Sequence, residues 1–196
     1  MSTLDFVRVM SRNSRGNTQF YVPCGGSISF SGNVGIYYAY AIVVGTQTGT
    51  ITAQFDSFDV PDRFQLYWNG ILQADSLYVG DNLYSGNYDI SLVNNSPYSL
   101  TKYEYGASGF TNTGNTETVT VTSNDLAPSV GTRSNGSNGN QIGVVANYPS
   151  SAASAFNGQV QLSFNKNLAS PTTITIIATG PISGTGWDLD SFTCPS

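Results

Sequence analysis

Histidine is absent from this chain of 196 residues, and charge is scarce: 7 basic and 12 acidic side chains make up 10% of it. Each shortage excludes something. Without imidazole there is no Ser-His-Asp or Cys-His nucleophile system, no histidine general base and no His-ligated zinc or haem. Globular domains carry roughly 25% charged residues, so this surface must stay hydrated by other means. No apolar run is long enough to cross a bilayer; the most apolar, 36–44, is strand-length. No membrane insertion is expected. The opening Met1-Ser-Thr-Leu-Asp-Phe-Val-Arg-Val-Met10 also lacks the apolar centre of a signal peptide.

What is present is Ser, Thr, Asn, Gly, Tyr and Val, with 21 glycines and 12% aromatic residues. Surfaces that are polar yet barely charged belong to extracellular β-sandwich adhesins and coat proteins rather than to cytosolic enzymes. The composition points to a binding or building protein, not an enzyme. At 20.8 kDa the chain fits one folded unit. A net charge of −5 argues against a nucleic-acid surface. A leaderless opening on an extracellular-looking body fits a virion component, made in the host cytoplasm and exposed after assembly. Export by a leaderless route, or a leader already removed, would fit as well.

Strand periodicity dominates. Ile51, Ala53 and Phe55 alternate with Thr52, Gln54 and Asp56, as a half-buried strand requires. Phe64, Leu66 and Trp68 alternate in the same way and run into Asn69-Gly70, a type I′ hairpin signal. Ile71–Val79 reads as the return strand. Further runs cover Thr118–Thr122, Ile142–Val145, Gln159–Phe164, Thr172–Ala178 and Trp187–Phe192. The expectation is an all-β, antiparallel, jelly-roll-like β-sandwich over 24–196, with an extended N-terminal arm over 1–23.

Residues 1–24 carry Asp5 against Arg8, Arg12 and Arg15, a local charge of +2, which leaves −7 for the rest. Leu4–Met10 has a weak helical period. A basic arm with Phe6 among its apolar residues, on an acidic body, reads as an assembly tail for a neighbouring subunit; a frayed terminus is the plain alternative. Ser129–Gln141 reads as an exposed loop.

Tyr98, Tyr103, Tyr105 and Phe110 lie among turn residues in 94–115. On loops they would offer flat platforms for host-surface glycans or partner proteins; the alternative is that they plug an open end of the sandwich. Asp56, Asp59 and Asp62 surround the bend at 58–61, and Asp188 and Asp190 share a face of the last strand. These five are candidate calcium ligands and, less readily, hydrolytic carboxylates. As plain structure they are turn caps, a solvated face and an Asp62–Arg63 corner. No other cofactor is implied. Cys24 precedes the first body strand and Cys194 follows the last. Terminal strands of such sandwiches lie side by side, so the pair is either a disulfide or two separate buried thiols.

The segment Gly49-Thr-Ile-Thr-Ala-Gln-Phe-Asp-Ser-Phe-Asp-Val-Pro-Asp-Arg-Phe-Gln-Leu-Tyr-Trp-Asn-Gly70 resembles a strand, Pro-Asp-Arg, strand, Asn-Gly unit. That unit occurs in small β-sandwich domains of tailed-phage virion proteins, notably of cyanophages. The ending Gly184-Thr-Gly-Trp-Asp-Leu-Asp-Ser-Phe-Thr-Cys-Pro195 resembles the closing strand of those domains. Together the two cover under a quarter of the chain. The resemblance implies a structural or adhesive virion part: a fibre, decoration or tail accessory protein in multiple copies. A second likeness is to CUB domains, through Phe55-Asp-Ser-Phe-Asp59, the Asn-Gly strand end and Cys24-Gly25-Gly26. It implies jelly-roll topology alone, since this chain is far longer than one CUB unit. The alternative to a virion part is a secreted carbohydrate-binding module.

Overall fold

The structure is a computed structural model, which describes residues 9–12, 18–25, 28–31, 36–58, 60–80, 92–106, 108–127, 152–156, 159–182 and 184–195. The Asp59 candidate, Phe6, Arg8 and Arg15 of the arm, the run Ile142–Val145 and the loop Ser129–Gln141 lie outside the described residues.

The described residues form two sheets. One contains β1 (Val9–Arg12), β2 (Thr18–Pro23), β4 (Ile36–Val43), β6 (Asp62–Trp68), β7 (Ile71–Val79), β8 (Tyr98–Gly106), β9 (Gly109–Val119) and β12 (Thr173–Gly180). The other contains β3 (Ile28–Ser31), β5 (Gly49–Asp56), β10 (Ala152–Phe156), β11 (Gln159–Lys166) and β13 (Gly186–Thr193). β3 pairs with β13, β4 with β12 and β5 with β11, all antiparallel and in alternating sheets. These pairings are nested, β3–β13 enclosing β4–β12 and that enclosing β5–β11 along the chain. The fold is all-β.

Two ladders depart from antiparallel pairing. The outer edge of β4 takes β8 along Ile36–Ala39 and β2 at Ile42 and Val43, both parallel. That edge is left open by the nested winding, and an open edge accepts a strand of either direction. Val9 and Met10 belong to β1, which pairs with β2, so the weak helical period there is overruled. The reason is the partner: Thr18, Phe20, Tyr21 and Val22 are strand formers. Among the described residues, the β1–β2 hairpin joins the ladder of the body at Val22 and Pro23.

The core follows the period-2 pattern. Ile51, Ala53 and Phe55, then Val160, Leu162 and Phe164, then Trp187, Leu189 and Phe192 come from the second sheet. Tyr40 and Ile42, Phe64, Leu66 and Trp68, and Ile174, Ile176 and Ala178 meet them from the first. Phe55 stacks on Phe64 across the sheets at 4.3 Å, and Trp187 meets Phe64 edge-on at 6.0 Å. Such pairs contribute about 0.5–1.5 kcal/mol each beyond burial. Asn69 and Gly70 both take positive φ, 52° and 72°, as the type I′ turn demands.

Two polar anchors pack beside this core. Arg63 donates to Asp75 through Nε at 2.9 Å and Nη2 at 2.6 Å, and to Asp125 through Nη1 at 3.0 Å. Asp75 is the register partner of Gln65, on the face of Arg63; the β6–β7 register shifts beside it, where Leu77 takes φ 57° and donates its N–H to Asp75 at 2.8 Å. Hydrogen bonds from Thr122 and the Arg63 charge outweigh burial and hold Asp125 below the usual carboxylate range. Lys166 is buried, its Nζ donating to the carbonyls of Gln47, Leu168 and Ala169.

Candidate functional site

The outer face of the second sheet presents rows of neutral polar side chains. Gln161, Gln54 and Ser191 are in register across β11, β5 and β13, as are Ser163, Thr52 and Thr193. Spacing is ~4.8 Å between strands and ~6.8 Å along them. The next row ends the pattern with charge, because Asp56 is the register partner of Asp188.

A bulge in β13 adds a third acid to this corner. The register shifts between Leu189 and Ser191, so Asp190 and Ser191 both face outward before Phe192 returns to the core. Burial and then the neighbouring Asp56 charge raise the carboxyl of Asp188. Burial, Asp56 and then Asp188 raise that of Asp190. Asp56 also accepts the backbone N–H of Phe58 at 2.8 Å, which fixes the following turn. In that turn Phe58 takes φ 50° and leaves its ring 46% exposed. An exposed aromatic thus follows directly on the acidic corner, held there by Asp56.

Of the two acidic groups expected, Asp188 and Asp190 both face away from the core on β13, whereas Asp56 and Asp62 at the bend part company. Asp62 leaves the group because β6 buries alternate residues, and Asp62 falls on the face of Phe64 and Leu66. It is fully buried, with Oδ1 accepting from Thr185 Oγ1. Nor does it form a corner with Arg63, whose guanidinium goes to Asp75 and Asp125. Among the described residues no three acidic or cysteine side chains converge closely enough to hold a metal ion.

The four aromatics are strand residues rather than loop platforms. Tyr98, Tyr103 and Tyr105 lie in β8 and Phe110 in β9, and all four pack against the core. The ring of Phe110 meets Tyr105 at 5.4 Å, Tyr40 at 5.7 Å and Trp187 at 6.1 Å. Tyr98 donates its hydroxyl to the carbonyl of Leu92 at 3.1 Å. The hairpin extends the first sheet along the edge of β4 and brings these rings against the core. The run expected at Thr118–Thr122 is the tail of β9, which ends at Val119.

The edge of β9 away from β8, unpaired among the described residues, is guarded. Between the pairs Thr101–Thr116 and Tyr103–Asn112 the strand loops out over Thr113–Asn115. Gly114 N–H is then held by the Asn112 side chain at 2.8 Å, and Asn115 N–H by that of Thr113 at 3.2 Å. A bulge that satisfies its own donors leaves little template for strand addition. At the other end of the chain, Arg12 closes β1. Cys24 and Cys194 form a disulfide with Cα atoms 6.2 Å apart. The nearby Gly25 N–H donates to Phe192 O at 3.1 Å, so the bridge reinforces an approach the β3–β13 pairing already makes.

Two of these features escaped the sequence reading: the buried Arg63–Asp75–Asp125 network and the burial of Asp62. The second had a signal, since Asp62 stands two residues before Phe64 in a strictly alternating run. Against known proteins, no family model, no curated protein and no solved structure matches the chain.

Proposed function

We propose that the chain is a non-enzymatic structural subunit of a tailed-phage particle, a fibre, decoration or tail accessory protein present in several copies. Its neutral polar faces would turn toward solvent or host-surface glycans, after synthesis in the host cytoplasm. Support comes from the missing histidine, the sparse charge, and the likeness of 49–70 and 184–195 to virion sandwich domains.

One observation carries the assembly part of this reading: the distribution of charge. The cations whose side chains are described are all committed within the fold. Arg63 pairs with Asp75 and Asp125, Lys102 with Glu117, and Lys166 with backbone carbonyls. Asp56, Asp188 and Asp190 repel one another on the outer face, with no described cation paired to them. Arg8, Arg12 and Arg15 carry the complementary charge, and Phe6 supplies an apolar group for the Phe58 ring. The arm of one subunit would then seat on the acidic corner of the next.

Sedimentation of the chain against an Arg8→Gln, Arg12→Gln, Arg15→Gln variant tests this. The expected result is self-association that weakens with salt and is lost in the variant. A variant that assembles as well as the parent overturns the arm's role.

A second reading, a carbohydrate-binding module, is favoured by Phe58. An exposed ring beside carboxylate acceptors is the chemistry that stacks on a sugar and accepts its hydroxyls. Binding to a glycan array that disappears in Phe58→Ala would select this reading.

A further inference from the structure

The β5–β6 and β12–β13 connections meet at the end of the sandwich that carries Phe58. Asp62 opens β6 there, and Thr185 stands at the end of the other connection. Thr185 Oγ1 donates to Asp62 Oδ1 at 2.5 Å, although 123 residues separate the two. Both side chains are buried, and Oδ2 of Asp62 has no hydrogen-bond partner. Gly180 of β12 makes the contact possible: a Cβ there would lie 2.5 Å from Asp62 Oδ1 and 2.6 Å from Thr185 Cγ2.

The groups around Asp62 offer its charge little. From β7 comes Tyr78, whose buried hydroxyl also lacks a partner. From β12 comes Gly180 and from the β12–β13 connection Thr185. Arg63 follows on β6 but is directed to Asp75 and Asp125. On the outer face of the second sheet stand Asp56, Asp188 and Asp190, which are anions. An ionised Asp62 would have one hydrogen bond and no described cation as counter-charge, an arrangement that costs several kcal/mol.

We propose that Asp62 is carried as a neutral carboxylic acid, and that the Asp62–Thr185 contact is a proton-held latch. It closes this end of the sandwich in acid and loosens as the pH rises. Burial holds the Asp62 carboxyl well above the ordinary range, against a smaller opposing pull from the Thr185 hydrogen bond. In an opened or unfolded chain the same group ionises near ~3.9. Below that value both states are protonated, and the latch contributes its full stability. Above it the open state releases its proton first, so closure weakens with each pH unit until the closed form ionises too. Asp188 and Asp190 are raised as well, with the same sign and at the same end, so the test must separate them from Asp62.

Hydrogen exchange of the full chain is followed between pH 5 and 9, corrected for the intrinsic exchange rate, in peptides spanning 57–66 and 179–187. The expected result is protection that falls with pH, by up to ~10-fold per unit. In Asp62→Asn the fall disappears and protection stays at the acid level. In the triple variant Asp56→Asn, Asp188→Asn, Asp190→Asn the fall persists. Protection that does not change with pH in the parent overturns the proposal, as does a fall that survives in Asp62→Asn. Should Asp62→Asn not fold, Thr185→Val serves instead. It removes the donor that favours the ionised form, so release moves to higher pH, and an unmoved or lowered midpoint overturns the proposal.

Discussion

Arg63 and Asp75 reach one another across the β6–β7 ladder, the guanidinium donating to both carboxylate oxygens at 2.6 to 3.2 Å. Gln65 Nε2 and the Leu77 N–H also donate to Asp75, each at 2.8 Å, so a fully buried carboxylate is saturated with donors. Removing it leaves a largely buried guanidinium with Asp125 alone. Asp75→Ala should therefore cost about 3–5 kcal/mol in denaturant unfolding. Glu117→Gln, which breaks the half-exposed pair with Lys102, should cost less than about 1 kcal/mol. Equal losses for the two would mean that burial does not set the worth of the Arg63 network.

The β8–β9 hairpin should behave as a structural plug. Phe110→Ala removes a ring that contacts Tyr40, Tyr105 and Trp187, and should lower stability by about 3 kcal/mol. If the melting temperature instead stays unchanged while a glycan interaction is lost, Phe110 is a binding platform and the plug is wrong.

The β12 strand should not tolerate a methyl group at Gly180. Its Cβ would press on Asp62 Oδ1 and Thr185 Cγ2, both in buried side chains with little room to yield. Gly180→Ala should destabilise by roughly 1–3 kcal/mol, as overpacking does. Gly70→Ala in the hairpin turn gives a contrast. Nothing lies within 4 Å of its Cβ, but φ is 72°, so that loss is backbone strain alone. The Gly70 variant should leave the hydrogen exchange of peptides 179–187 unchanged, whereas Gly180→Ala should raise it.

Alternation made the inner strands legible before any coordinates. Ile51–Phe55, Phe64–Trp68 and the Asn69-Gly70 turn appear where the period-2 pattern and the turn residues place them. The pattern failed where one residue is inserted. The bulges at Leu77 and Asp190 depend on what the neighbouring strand offers, Arg63 in one case and β5 in the other, and that is tertiary information. The β8–β9 hairpin was hidden for another reason. Thr, Asn and Gly in β9 have turn chemistry locally, and only the pairing with β8 and the packing of Phe110 make an exposed polar strand of them. Of the candidate site, the acids were visible as residues, but their division into a buried one and an exposed three was not.

The disulfide offers the last test, because it separates chain entropy from native contacts. Cys24 and Cys194 are 170 residues apart in sequence, yet their surroundings already meet through Gly25 N–H to Phe192 O and the β3–β13 ladder. Reduction should therefore leave the native sheets in place and act chiefly by freeing the unfolded chain. In the chain-entropy model a loop of this length is worth about 5 kcal/mol, an upper figure for the loss on reduction or in the Cys24→Ser, Cys194→Ser variant. In the bridged structure Cys24 is exposed and Cys194 is half-buried, so alkylation of the reduced folded protein should label Cys24 first. Synthesis in a reducing cytoplasm would deliver the dithiol, with the bridge closing after release. Intact-mass measurement after alkylation under denaturing, non-reducing conditions decides the state of purified material. No label is expected, and two labels would mean that the cysteines are not bridged.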